Sequence, residues 1–104
     1  MNHVNLIGKM CSTPKFVELK NGKKLVQFTL STKETFLDAE GKAQTNRQWH
    51  KLFAWGKWVK VLEELGSEGM NLAIEGRLTS RFYKLPTGDR KYISEVEVND
   101  LIIL

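Results

Sequence analysis

Alternation of apolar and polar residues with period two runs through most of this 104-residue chain and breaks down once. Val4, Leu6, Gly8 and Met10 alternate with His3, Asn5, Ile7 and Lys9. Val26, Phe28, Leu30 and Thr32 alternate with Gln27, Thr29, Ser31 and Lys33. Leu72, Ile74, Gly76 and Leu78 alternate with Ala73, Glu75, Arg77 and Thr79, and Tyr92 to Val98 repeats the pattern. Successive side chains of a strand point to opposite faces, so these strings predict strands with one buried face. Turn residues punctuate them at Ser12-Thr13-Pro14, Asn21-Gly22, Asp38 to Gly41 and Pro86-Thr87-Gly88-Asp89. The break lies between Gly56 and Leu65. There Trp58, Val61, Leu62 and Leu65 fall at i, i+3, i+4 and i+7, opposite Lys60, Glu63 and Glu64. That spacing predicts one short amphipathic helix, ended near Gly66.

The helix separates a third strand at about 46–55 from a fourth at about 70–84. Five strands with a helix between the third and fourth is the order of the OB-fold, a five-stranded Greek-key barrel that takes oligonucleotides or oligosaccharides. The expected class is therefore all-β with one helix. At 12.0 kDa, residues 1–104 make a single domain. The opening "MNHVNLIGKM" lacks the basic and apolar regions of a signal peptide, and no apolar run approaches a membrane span. A lone Cys11 suits a reducing compartment, so the expected location is cytoplasmic.

Little in the sequence suits catalysis. His3, His50 and Cys11 are too few and too scattered for a zinc site, and the Gly-Lys pairs lack the remainder of a phosphate loop. "DAEGK" opens like a calcium loop but lacks its later ligands, which leaves a flexible hairpin tip. Glu63 and Glu64 diverge on a helix. No enzyme, metal or cofactor is expected. Charge is more informative. Residues 1–60 hold eleven Lys and Arg against four acids, a net +7, while residues 61–104 hold five against eight, a net −3. A basic first half points to a polyanionic partner, with the acids collected elsewhere.

All three tryptophans lie in "NRQWHKLFAWGKW", with cations between them. On a regular strand Arg47, Trp49, Lys51, Phe53 and Trp55 share one face; Arg77, Arg81 and Tyr83 share a face of the next. Cations that meet phosphates, beside flat rings that stack on bases, suit a single-stranded nucleic acid. Phe53 is assigned to the core, and Trp49 and Trp55 to the binding face. A bulge in the strand would exchange the two faces. Trp58, central in the helical stripe, is expected to pack on the barrel.

"NHVNLIGKM", Pro14, "NGKKLVQFTLST", "QWHKLFAWGK", "EGMNLAIEGRL" and "RFY" resemble, in order, the bacterial single-stranded DNA-binding protein family. The likeness runs from Asn2 to about Val98. It implies an OB-fold that coats single strands of DNA with little sequence preference, acts in replication, recombination or repair, and assembles as a homotetramer. By the same resemblance the stacking rings fall on Phe36, Trp49, Trp55 and Tyr83, and the basic positions include Lys51, Lys57 and Arg81. Phe36 and Tyr83 stand where the family often has tryptophan, and both keep a π-face. His50 matches a histidine at the family's subunit contact, with a bond inside its own subunit as the alternative. The edge strand Asn2–Met10, with Asn5, Leu6 and Ile7, matches the strand that pairs with its neighbour's copy. Members generally continue into a disordered linker and an acidic tip that recruits other enzymes. If the chain truly ends at "NDLIIL", no tail-mediated partners are expected; the alternative is a sequence trimmed of its tail.

Overall fold

The computed structural model describes all 104 residues. The elements are β1 (Val4–Met10), β2 (Lys15–Glu18), β3 (Lys24–Leu37), β4 (Ala43–Trp55), α1 (Lys57–Leu65), β5 (Asn71–Lys84) and β6 (Arg90–Ile103). The sheet order β1-β5-β6-β4-β3-β2 closes on itself, because β1 also pairs with β3 at Lys9↔Ser31 and Met10↔Leu30. β2 continues along the same edge of β3, from Lys15↔Gln27 to Glu18↔Lys24. The chain bends between them, where the Cys11 N–H donates to the Thr29 carbonyl and the Thr29 N–H to Ser12 Oγ. β1 and β2 thus act as one bent strand, and the ring is a five-stranded barrel with its helix between β4 and β5. The expected OB-fold is the observed one.

Two features let the ring close. One is the short parallel contact of β4 with β6, Leu52↔Val96 and Phe53↔Glu97, which joins strands far apart in sequence. The other is the absence of a side chain where β1 passes over β3: a Cβ on Gly8 would run into the carbonyl oxygen of Ser31. Inside lie Met10, Val26, Phe28, Leu30, Leu52, Leu72, Ile74, Val96, Val98 and Leu101, almost all from the apolar phase of the alternation. No helix is long and apolar enough to cross a membrane.

Two hairpins reach beyond the barrel. The outer halves of β3 and β4 form an arm in which residues 33–37 and 43–49 are exposed. Its tip is an ordered turn, not the loose one read from "DAEGK". Asp38 Oδ1 accepts from the N–H groups of Glu40 and Lys42 at 2.9 Å, and Oδ2 from Gln44 at 3.0 Å. These bonds, led by that from Lys42 and then that from Gln44, hold the exposed carboxyl below the ordinary carboxylate pKa. The second hairpin, β5–β6, projects Phe82 and Tyr92 with ring centroids 5.3 Å apart and the Arg90 guanidinium 5.1 Å above Phe82.

The helix departs from the stripe expected of it. Val59 and Leu62 are its buried residues, whereas Leu65, placed in the stripe, is 59% exposed. The buried face of the nine-residue helix is centred on Val59 and Leu62, and Leu65 lies outside it. Trp58 is half-buried against the core, with Lys57 Nζ 4.7 Å from its ring centroid. It thus supports the barrel from the edge of the contact. Trp58→Ala is expected to lower stability by about 2–3 kcal/mol, below the 3–5 kcal/mol of a fully buried ring. A thermal melt measures this, and an unchanged melting temperature would remove Trp58 from the core.

Candidate nucleic-acid interface

Strand β4 settles which side each aromatic takes. Its pairing with β3 runs without a slip from Leu25↔Trp55 to Leu37↔Ala43, so no bulge exchanges the faces. Leu52 and Ala54 are buried, and the odd-numbered residues from Arg47 to Trp55 therefore line the outside of the barrel. Phe53 is among them, which corrects its assignment to the core. It is half-buried on the outer face, edge-on to Trp55, with centroids 6.3 Å apart and planes at 88°. Strict alternation from Trp55 already pointed there; the general preference of phenylalanine for interiors had overridden it.

The outer face continues across the barrel. β6 lies beside β4 and β5 beside β6, so Phe53, Glu97 and Arg77 fall in one row. Thr79 pairs with Glu95, Arg81 with Ile93 and Tyr83 with Lys91 on the same side. The only irregularity, at Glu75/Gly76, lies before this stretch and leaves its alternation intact. One depression is lined by Leu25, Gln27, Phe53, Trp55, Arg81 and Glu95, and the next by Thr29, Lys51, Arg81 and Glu95. Together they form a continuous trough floored by β3, β4 and β6 and walled by β5. Trp49 extends it onto the arm; it is 65% exposed and has Ser31 as its cross-strand partner. Beyond it Arg47 sits opposite Lys33, two exposed cations side by side.

Of the predicted site residues, the structure gathers Trp49, Lys51, Trp55, Arg77, Arg81 and Tyr83 on this face. Phe36 lies elsewhere. It pairs with Gln44 in the phase of Phe28 and Leu30, so on the exposed arm it points to the opposite side from Trp49 and Trp55. Lys57 stands past the end of β4, in the first turn of α1. It is led there by Gly56, whose φ of 64° and ψ of −128° suit only a residue without Cβ. Beside that turn Lys23, Lys24, Trp55 and Lys60 surround a second basic hollow that the sequence reading did not single out.

Two further residues of the face were missed. Glu95 and Glu97 belong to the half of the chain where the acids were placed apart from the basic surface. β6 returns them to it. Arg77 Nε donates to Glu97 Oε2 at 2.7 Å, and Arg81 Nε lies 2.7 Å from Glu95 Oε1. The alternation of Ser94, Val96 and Val98 with these acids put them outside the barrel; only the strand order put them beside β4.

The proposed contact residues divide similarly. Asn5 and Ile7 face out from β1, while Leu6 turns inward and packs against the core, leaving only its backbone at the edge. That edge is paired to β3 only at Lys9 and Met10. His50 is half-buried, with Nε2 2.9 Å from Thr32 Oγ1 of the same chain.

Comparison with known proteins agrees with this fold. The chain is 37% identical over 105 residues to single-stranded DNA-binding protein 1 of Chlorobaculum tepidum, covering 100% of this chain and 65% of that one. It therefore spans about two thirds of the length of that relative. The structure of a Plasmodium falciparum SSB in complex with ssDNA superposes with a TM-score of 0.91 at 26% identity, over 100% of this chain and 95% of that one. A deletion mutant of the single-stranded DNA binding protein from Thermus aquaticus shares the fold, with a TM-score of 0.88 at 23% identity over 100% and 50% of the two chains. The sequence pattern of the single-strand binding protein family matches residues 1–104. This chain belongs to the single-strand binding protein family.

Proposed function

We propose that this protein binds single-stranded DNA with little sequence preference, as a binding protein and not an enzyme, in the replication, recombination or repair of DNA in the cytoplasm. The observation that carries the reading is the unbroken row of Arg47, Trp49, Lys51, Phe53 and Trp55 on the outer face of β4, across the trough from Arg81, with Tyr83 two residues further along the same side of β5. Every base has a π-face, so exposed rings bind a strand without reading it, and Arg47 and Lys51 beside them neutralise phosphates. A duplex keeps its bases stacked inward and offers these rings nothing. Family membership and a relative named for single-stranded DNA support the same conclusion.

Titration with dT oligomers of graded length, read by tryptophan fluorescence over a salt series, tests it. Quenching is expected, with log K falling against log salt by about 0.7 for each phosphate neutralised. Poly(U) and duplex DNA serve as competitors. Preferential displacement by poly(U) would favour RNA, and a salt-insensitive protein indifferent to all three would leave a carbohydrate-binding or structural barrel.

We further infer a homotetramer. The edge of β1 over Val4 to Gly8 is free to pair, and Ile7, Leu78, Phe82, Tyr92 and Ile102 leave apolar surface at two places. Light scattering is expected to give four times the chain mass, and a monomer mass would refute the assembly. His50→Lys is expected to shift the mass downward, since it removes the bond to Thr32 and puts an unpaired charge in a covered position.

A further inference from the structure

The basic face carries two carboxylates, Glu95 in the floor of the trough and Glu97 in the row of Phe53 and Arg77. Glu95 is nearly buried, its side chain 8% exposed, and it meets Arg81 from beneath while the arginine side chain is 62% exposed. Glu97 holds Arg77 in the same way, at 19% and 57%. A surface built only to attract a polyanion has no use for fixed negative charge at its centre. Ordinary cross-strand pairing explains an acid opposite an arginine at the sheet surface. It does not explain why both acids lie on the nucleic-acid side, Glu95 in the trough that also holds Lys51, Phe53 and Trp55, and Glu97 beside Phe53 across β4 and β6.

We propose that Glu95 and Glu97 are resident anions of the binding surface. Each takes the inner edge of an arginine and thereby lowers both the affinity for a single strand and its dependence on salt. The burial of Glu95 decides how this works. A phosphate does not evict it, because a buried carboxylate stripped of its partner is strongly disfavoured. The arriving phosphate instead shares the guanidinium, whose donors in a fixed fork extend beyond the Nε engaged by the carboxylate. It meets an arginine whose charge is already offset and a carboxylate that repels it. Arg77 and Arg81 then hold the strand by hydrogen bonds with little release of counterions, and Arg47 and Lys51 of β4 carry most of the salt dependence. Such a surface exchanges its strand more readily than its count of arginines suggests.

The inference rests on the single-strand reading, and the test separates the two. Wild type is titrated first with a dT oligomer over a salt series; absence of binding there defeats the single-strand reading itself. Given binding, Glu97→Gln keeps the shape and an acceptor for Arg77 while removing the charge. It is expected to tighten binding about fivefold near 0.1 M salt and to steepen the slope of log K against log salt by about 0.7, the contribution of one further phosphate. Glu95→Gln is expected to do the same. Glu97→Gln, the more exposed of the two, decides the matter should Glu95→Gln melt early. Glu68→Gln removes the same charge from the loop between α1 and β5 and is expected to leave the slope unchanged. An unaltered slope in Glu97→Gln, weaker binding, or an equal gain from Glu68→Gln would overturn the proposal.

Discussion

The variant Trp49→Ala/Trp55→Ala is expected to lose about 2–6 kcal/mol of affinity for a dT oligomer long enough to span the trough. Truncating one stacking aromatic typically removes about 1–3 kcal/mol, a range to which proteins of this family themselves contribute. The two rings are six residues apart on one face of β4, roughly 20 Å along a strand, and so engage different nucleotides. Their losses should therefore nearly add. Stability should change little for Trp49, which is mostly exposed. Trp55 makes an edge contact with Phe53, so a drop of a few degrees in melting temperature is expected from that half. Fluorescence anisotropy of a labelled oligomer measures the affinity without relying on the removed tryptophans. Wild-type affinity in the double variant would exclude stacking on the outer face of β4.

Leu52→Ala is expected to do the opposite. Leu52 lies between Lys51 and Phe53 in sequence, yet it is 1% exposed and sits where β4 meets β6 at the closure of the barrel. Removing its side chain leaves a cavity in the core and should cost about 2–5 kcal/mol of stability. Affinity should hold at temperatures where the protein remains folded. Phe53→Ala, one residue on, should weaken binding more than folding. Urea melts and dT titrations on the pair read out the alternation of β4 directly. A Phe53→Ala protein that unfolds as readily as Leu52→Ala would return Phe53 to the core.

What period two determined was local. It assigned Trp49, Lys51 and Trp55 to one face and Leu52 to the other, and the strand obeyed because its pairing with β3 never slips. It placed the helix between the third and fourth long strands, from which the barrel followed. The resemblance of "WHKLFAWGK" and "IEGRL" to one family pointed to the fold and the family, and the match over residues 1–104 bears out the family.

What alternation leaves open is which elements become neighbours. Leu65 lies in the apolar stripe of α1 and stays exposed, because the face that meets the barrel is centred on Val59 and Leu62. Phe36 and Trp49 both stand on the arm, and only its pairing register sets their rings on opposite sides. Glu95 and Glu97 lie more than forty residues from Lys51 in a half of the chain with net negative charge. They reach the basic face because closing the barrel requires β6 to pair with β4. Side-chain direction along a strand is a property of the backbone and can be read from a string of residues. Adjacency between strands is set by the closed ring of hydrogen bonds and by the one core that fills it, and it exists only in the folded chain.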